Sequence, residues 1–252
     1  MTDKSSYVPG EPTWIDLGTP DLAATTAFYT ELFGWTAGPA SEEFGGYAQF
    51  TQGGKAVAGV YPLMSPEQPA VWTTYISVAD ADKTASLVAE NGGMTHAAPM
   101  DVGDLGRMAV FADPAGAAFG VWQPRAMTGT ERVEVEGTYT WTELATRDQA
   151  GALPFYRAVF DWEADVDPDY TQFKLPGGHA LAGCRDLPAE VPAEVPSSWM
   201  PYFAADDPAA AAQRAATLGA TVVVPFVEMD DVSFSVVRDP NGSPFGLLKL
   251  ST

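Results

Sequence analysis

The chain has 252 residues, 46% of them hydrophobic and 18% charged, with 24 Gly and 21 Pro. That composition belongs to a soluble globular protein and excludes disorder and membrane spans. Its 13 basic and 33 acidic residues give a net charge of −20, a field that repels phosphate backbones and anionic headgroups, so neither nucleic acid nor a membrane surface is an expected partner.

Met1 to Pro12 carries no apolar segment flanked by basic residues, and the single cysteine, Cys184, has no partner for a disulfide. Both features lead to the expectation of a cytosolic protein. In chain order, Thr13 to Leu17 reads as a strand and Leu22 to Phe33 as an amphipathic helix capped by Asp21. Tyr47 to Thr51 and Ala56 to Tyr61 follow as strands joined at Gly53-Gly54. The pattern then restarts. Trp72 to Val78 is a strand, Ala81 to Glu90 a helix ended by Gly92-Gly93, and Thr95 to Val102, Arg107 to Ala112 and Ala118 to Gln123 are strands.

The whole pattern occurs twice. Trp14 matches Trp141, Phe28-Tyr29 matches Phe155-Tyr156, and Phe33-Gly34-Trp35 matches Phe160-Asp161-Trp162. Near the end of each copy, Asp113-Pro114-Ala115-Gly116 matches Asp239-Pro240-Asn241-Gly242. Small indels shift the landmarks, as loops do. The reading is therefore a first domain over residues 1–124, a linker over 125–137 and a second domain over 138–252.

Asp21-Leu22, then Phe28-Tyr29 and Leu32-Phe33-Gly34-Trp35, then Asp113-Pro114-Ala115-Gly116 before a final strand together resemble the vicinal oxygen chelate superfamily of glyoxalases, bleomycin-resistance proteins and extradiol dioxygenases. The resemblance covers nearly the whole chain and is similar to the tandem glyoxalase-like proteins of actinobacteria. It implies an α+β fold of two tandem domains. Each domain has two βαβββ modules whose curled mixed sheet encloses a cavity, with the helices on the convex side. It also implies that the second copy supplies, within one monomer, the partner domain that relatives obtain by dimerising.

Members of that superfamily that perform metal chemistry place His or Gln on the first strand of a module and Glu on its last. Here those positions are Trp14 and Trp141, Gly120 and Gly246, with Thr73 and Met200 at the inner positions. No ligand set remains, so the expectation is no metal and no cofactor. His96 and His179 occupy unrelated positions in the two copies and read as surface residues, and Cys184 reads as a small buried apolar residue.

Strand alternation assigns the side chains that face each cavity. In the first copy these are Trp14, Asp16, Tyr47, Gln49, Thr73, Tyr75 and Trp122. In the second they are Trp141, Glu143, Tyr170, Gln172, Met200 and Tyr202. A Trp, a carboxylate, Tyr and Gln suit a planar aromatic or cationic small molecule, such as an antibiotic or other secondary metabolite, held for sequestration or as a biosynthetic accessory. The alternative is a metal-independent isomerase, lyase or cyclase with Asp16 or Glu143 as general base. A metal-dependent glyoxalase or dioxygenase is disfavoured by the missing ligands. The plainest reading of the two acids is that they bond structural amides.

Overall fold

A computed structural model describes residues 3–167, 170–229 and 231–250. The first half runs β1 (Pro12–Thr19), α1 (Leu22–Phe33), β2 (Thr36–Ala37), β3 (Ala48–Gln52), β4 (Lys55–Pro62), β5 (Trp72–Ser77), α2 (Ala81–Glu90), β6 (Met94–Val102), β7 (Gly106–Ala112) and β8 (Ala118–Pro124). The second repeats it as β9 (Tyr139–Thr146), α3 (Gln149–Phe160), β10 (Glu163–Val166), β11 (Thr171–Lys174), β12 (Ala180–Asp186), β13 (Ser198–Ala204), α4 (Pro208–Thr217), β14 (Thr221–Glu228), β15 (Val232–Arg238) and β16 (Pro244–Leu250). None of the described helices is long and apolar enough to cross a membrane.

Each half folds into one open eight-stranded mixed sheet. The orders are β2-β3-β4-β1-β5-β8-β7-β6 and β10-β11-β12-β9-β13-β16-β15-β14. Two βαβββ modules meet where the first strands of both modules run side by side, β1 antiparallel to β5 and β9 antiparallel to β13. Strands β2 and β10 escape the sequence reading because two and four residues are too few to show alternation. They add a pairing edge to β3 and β11.

All four helices begin at an Asp whose carboxylate accepts from a backbone N–H of the first turn: Asp21 from Ala24, Asp80 from Lys83, Asp148 from Gly151 and Asp207 from Ala210. Such a cap satisfies a donor the helix itself cannot, and is worth about 1 kcal/mol. Along α1 the buried residues are Thr25, Phe28, Tyr29 and Leu32, a spacing that makes one apolar stripe. Helix α1 stops at Gly34, whose φ of 68° places it in the left-handed region.

The stripes pack across the duplication. One core joins Ile76, Phe111 and Phe119 of the first half to Phe155, Tyr156, Phe160 and Trp162 of the second. The other joins Tyr29, Trp35 and Phe50 to Phe203, Phe245 and Leu247. Each core therefore contains the first module of one half and the second module of the other. Full burial of each such aromatic stabilises by about 1.5–3 kcal/mol, so neither half encloses its own apolar surface without the other.

At the centre of each core is a hydrogen-bonded relay. Trp72 Nε1 donates to the Tyr29 hydroxyl at 3.0 Å, and Tyr29 donates to Asp239 Oδ2 at 3.2 Å. In the mirror copy, Trp199 Nε1 donates to Tyr156 at 2.8 Å, and Tyr156 donates to Asp113 Oδ2 at 3.0 Å. The other oxygen of each Asp closes its own Asp-Pro turn, Asp113 Oδ1 accepting from Ala115 and Ala117, and Asp239 Oδ1 from Asn241 and Ser243.

Removing either hydroxyl leaves a buried indole N–H and a carboxylate oxygen without a partner. Tyr29→Phe and Tyr156→Phe are each expected to lower stability by about 1–3 kcal/mol. Urea unfolding should show similar losses for the two, and the double variant should lose their sum within about 0.5 kcal/mol.

Candidate functional site

The concave face of each sheet is built at the same register. Asp16 on β1 pairs with Gly59 on β4 and Thr73 on β5, and Glu143 on β9 pairs with Gly183 on β12 and Met200 on β13. Beside them Tyr75 pairs with Gly120 and Tyr202 with Gly246. The four glycines are needed for space. A Cβ at Gly59 or Gly183 would collide with the Tyr47 or Tyr170 hydroxyl, and one at Gly120 or Gly246 with the ring of Tyr75 or Tyr202.

In the first cup Trp14, Tyr75 and Trp122 form a buried cluster. Trp14 Nε1 donates to the Tyr47 hydroxyl at 2.8 Å, and Tyr47 donates onward to Asp16 Oδ2 at 3.4 Å. The ring of Tyr61 stacks on Tyr47 with centroids 6.2 Å apart. The segment expected to be a plain linker lies across this cup as a strap. Trp122 Nε1 donates to the Met127 carbonyl at 2.8 Å, Gln49 Nε2 reaches Met127 Sδ at 3.7 Å, and Thr13 bonds to Thr128 and Thr130. The Met127 side chain packs with Leu105 and Met108 on the aromatic cluster.

Under that cover Asp16 is 4% exposed and its Oδ1 has no hydrogen-bond partner. Burial pushes its carboxyl up to about 7, against the smaller opposing effect of bonds from Tyr75 and Tyr47.

The second cup keeps the frame and changes the contents. Trp141 Nε1 donates to the Tyr170 hydroxyl at 3.0 Å, as Trp14 does to Tyr47. Glu143 is not the lone acid that the sequence suggests. Arg185 Nε donates to its Oε1 at 2.7 Å, and the Tyr202 hydroxyl donates to the same oxygen at 3.2 Å. Arg185 stands two residues after Gly183, where the first cup has Tyr61 two residues after Gly59. Its side chain points to the cup by strand parity, a signal that becomes useful only once β12 is known to run parallel to β9.

This cup is also the more open one. Trp141 and Met200 are half-buried and Gln172 is exposed, whereas Trp14 and Trp122 are buried. Phe234 stands edge-on to Tyr202 at 6.3 Å, and Leu248 takes the repeat position that Trp122 holds in the first half. Arg185, Phe234, Tyr61 and Met127 are the cup residues that sequence reasoning missed. His96 and His179 are exposed and Cys184 is buried, its thiol pushed up to about 12 by burial.

The residues do not fit a divalent ion. The positions that the resemblance assigns to metal ligands are Trp14, Trp141, Gly120 and Gly246, and tyrosine rings fill the space a carboxylate would need at the two glycines. Among the described residues no three His, Cys, Asp or Glu groups come together. A cleft of about 400 Å³ opens instead between α2 and α3, but its Asp80 is committed to capping α2.

The raised carboxyl of Asp16 gives a signed expectation for stability. Its folded value lies above its unfolded one, so its contribution is complete below a pH of about 4 and is lost as pH rises toward about 7. Asp16→Asn should be close to neutral at pH 4 and more stable than the parent at pH 8, by a few kcal/mol at most. Urea unfolding at the two pH values measures the difference, and a constant gap between the two proteins would contradict it.

The sequence model for the glyoxalase/bleomycin resistance protein/dioxygenase superfamily matches residues 12–121, and that for a glyoxalase-like domain matches residues 141–248. A protein named putative glyoxylase CFP32 from Mycobacterium tuberculosis is 38% identical over 260 residues, covering 99% of this chain and 98% of that one. The anthracycline biosynthesis protein DauV of Streptomyces sp. strain C5 is 38% identical over 263 residues, covering 97% and 94%. Among solved structures, the Mn(II)-bound glyoxalase from Novosphingobium aromaticivorans superposes with a TM-score of 0.68 at 15% identity, covering 95% of this chain and 82% of that one. The 2,3-dioxygenase LapB from Pseudomonas sp. KL28 does so with a TM-score of 0.62 at 12% identity, covering 96% and 93%. At those identities the two structures share the fold. From the repeated module, the matched sequence models and the full-length relatives, the chain belongs to the glyoxalase/bleomycin resistance protein/dioxygenase superfamily, with two of its domains in tandem.

Proposed function

We propose that the protein binds a planar aromatic small molecule in its second cup, without a metal ion. The observation that carries this reading is the contrast between the cups. One aromatic lining is buried beneath Met127, and the equivalent lining leaves Trp141 and Met200 half-exposed above a buried acid paired with a half-buried arginine. An aromatic platform open on one side, over a few convergent polar groups, has the composition of a small-molecule site. The relatives named for anthracycline biosynthesis support a polyaromatic natural product as the ligand class, and an accessory or sequestering role as the use made of it.

Of the two ligand features expected from sequence, the planar ring is retained and the cationic group is not. Arg185 already neutralises Glu143, and Asp16 lies beneath the strap. The same two facts weaken a general-base role for either acid, because one is ion-paired and the other is shut away from substrate.

Titration with an anthracycline aglycone should quench tryptophan fluorescence with one ligand per chain. Trp141→Ala should weaken binding by about tenfold or more, while Trp14→Phe should leave it unchanged. Absence of quenching at high micromolar ligand, or equal effects of the two substitutions on affinity, overturns the reading.

A further inference from the structure

The halves differ in charge at one position of the cup floor. Gly59 pairs with Asp16 and Gly183 with Glu143 in the same parallel register, yet two residues further on stands Tyr61 in one half and Arg185 in the other. Arg185 bonds to Glu143 through Nε, and its side chain is 36% exposed against 9% for the acid. The guanidinium thus spans from the floor toward the opening. Both hydrogen bonds to Glu143, from Arg185 and from Tyr202, fall on Oε1. Among the described residues no hydrogen bond uses an Nη of Arg185 or Oε2 of Glu143. The Tyr170 hydroxyl, which accepts from Trp141, also lies within bonding reach of the carboxylate, whose second oxygen keeps lone-pair capacity for a further donor.

The cup therefore presents, side by side, a donor on Arg185 and an acceptor on Glu143, with Trp141 flanking them. The pair is neutral as a whole. An ammonium group finds no free acid in it, and an anion approaches against a net charge of −20. A neutral ring edge that carries an acceptor next to a donor matches both halves of the pair.

We infer that the second cup recognises the oxygen-bearing edge of a hydroxyaryl ketone or hydroxyquinone. Its carbonyl accepts from an Arg185 Nη and a phenolic hydroxyl on the same edge, set too far from that carbonyl to bond to it, donates to Glu143, while the ring lies against Trp141. This inference rests on the reading of the second cup as the ligand site and names the ligand class for it. Buried groups placed to pair with such an edge discriminate against a ring that lacks it, because that ring leaves them unpaired.

The test compares 2-hydroxyanthraquinone, whose hydroxyl is free of the quinone carbonyl, with anthraquinone, two rings that differ in one hydroxyl, by fluorescence quenching and by the absorbance of the bound hydroxyquinone. The native protein should prefer the hydroxylated ring by about tenfold, the effect of one such hydrogen bond. Arg185→Gln should also weaken both quinones, since both carry the carbonyl. The double variant Glu143→Gln/Arg185→Gln leaves no unpaired buried charge, so it stands in if the single variant does not fold, and it should reduce the preference to about twofold or less. Trp141→Ala should weaken both rings and keep the preference. Equal affinity of the native protein for the two rings overturns the edge recognition and leaves the cup as a plain aromatic site. A full preference surviving in the double variant overturns it as well. Binding of neither ring overturns the ligand-site reading itself.

Discussion

The structure depends on the two hydrogen-bonded relays that cross the duplication. Tyr29 of the first half reaches Asp239 of the second, and Tyr156 of the second reaches Asp113 of the first. Each Tyr also takes the indole N–H of a Trp, so three large polar-tipped side chains are satisfied in each aromatic core. Burial pushes both Asp carboxyls upward, and the backbone amides of their own turns and the tyrosine hydroxyl oppose it. The acids therefore hold the turns and the halves at once. Loosening the turn would release the Tyr, and moving the helix would leave the carboxylate unpaired in an apolar core.

That arrangement explains why the repeated landmarks are the ones they are. The Phe-Tyr pair and the Asp-Pro turn, far apart within each half, meet only between halves. Both were legible as repeated sequence, as was the Asp21 cap of α1. Their joining was not legible, because a bond between Tyr29 and Asp239 leaves no local pattern and a pairing with Asp113 within the first half reads equally well. The strap reads as mere connection for the same reason. Its Met127 and Thr128 have no periodicity, and their purpose is set by their bonds to Trp122 and to the distant Thr13.

Arg185 is the instructive miss. Its parity was readable, but a side chain is a partner for Glu143 only if its strand is the neighbour, and β12 reaches β9 through a parallel crossover over α3. The sequence likewise places Asp16 and Glu143 in matching positions and cannot say that one is paired and the other not. Register across strands, rather than alternation within one, decides what each acid does.

The two differences between the cups follow from one another. A guanidinium is costly to seal from water unless every donor is paired, and a lone buried carboxylate avoids the cost by taking up a proton. The first cup is closed by Met127, and there the position of Arg185 is held by Tyr61, stacked on Tyr47, over an Asp that burial moves toward neutrality. The second cup pairs Arg185 with Glu143, and its Trp141 is not sealed. Placing an Arg under the strap would leave its Nη groups dry, whereas placing them at an open cup leaves them for water or for a ligand. Closure and charge are thus alternatives at this floor position, and the duplicated fold carries one of each.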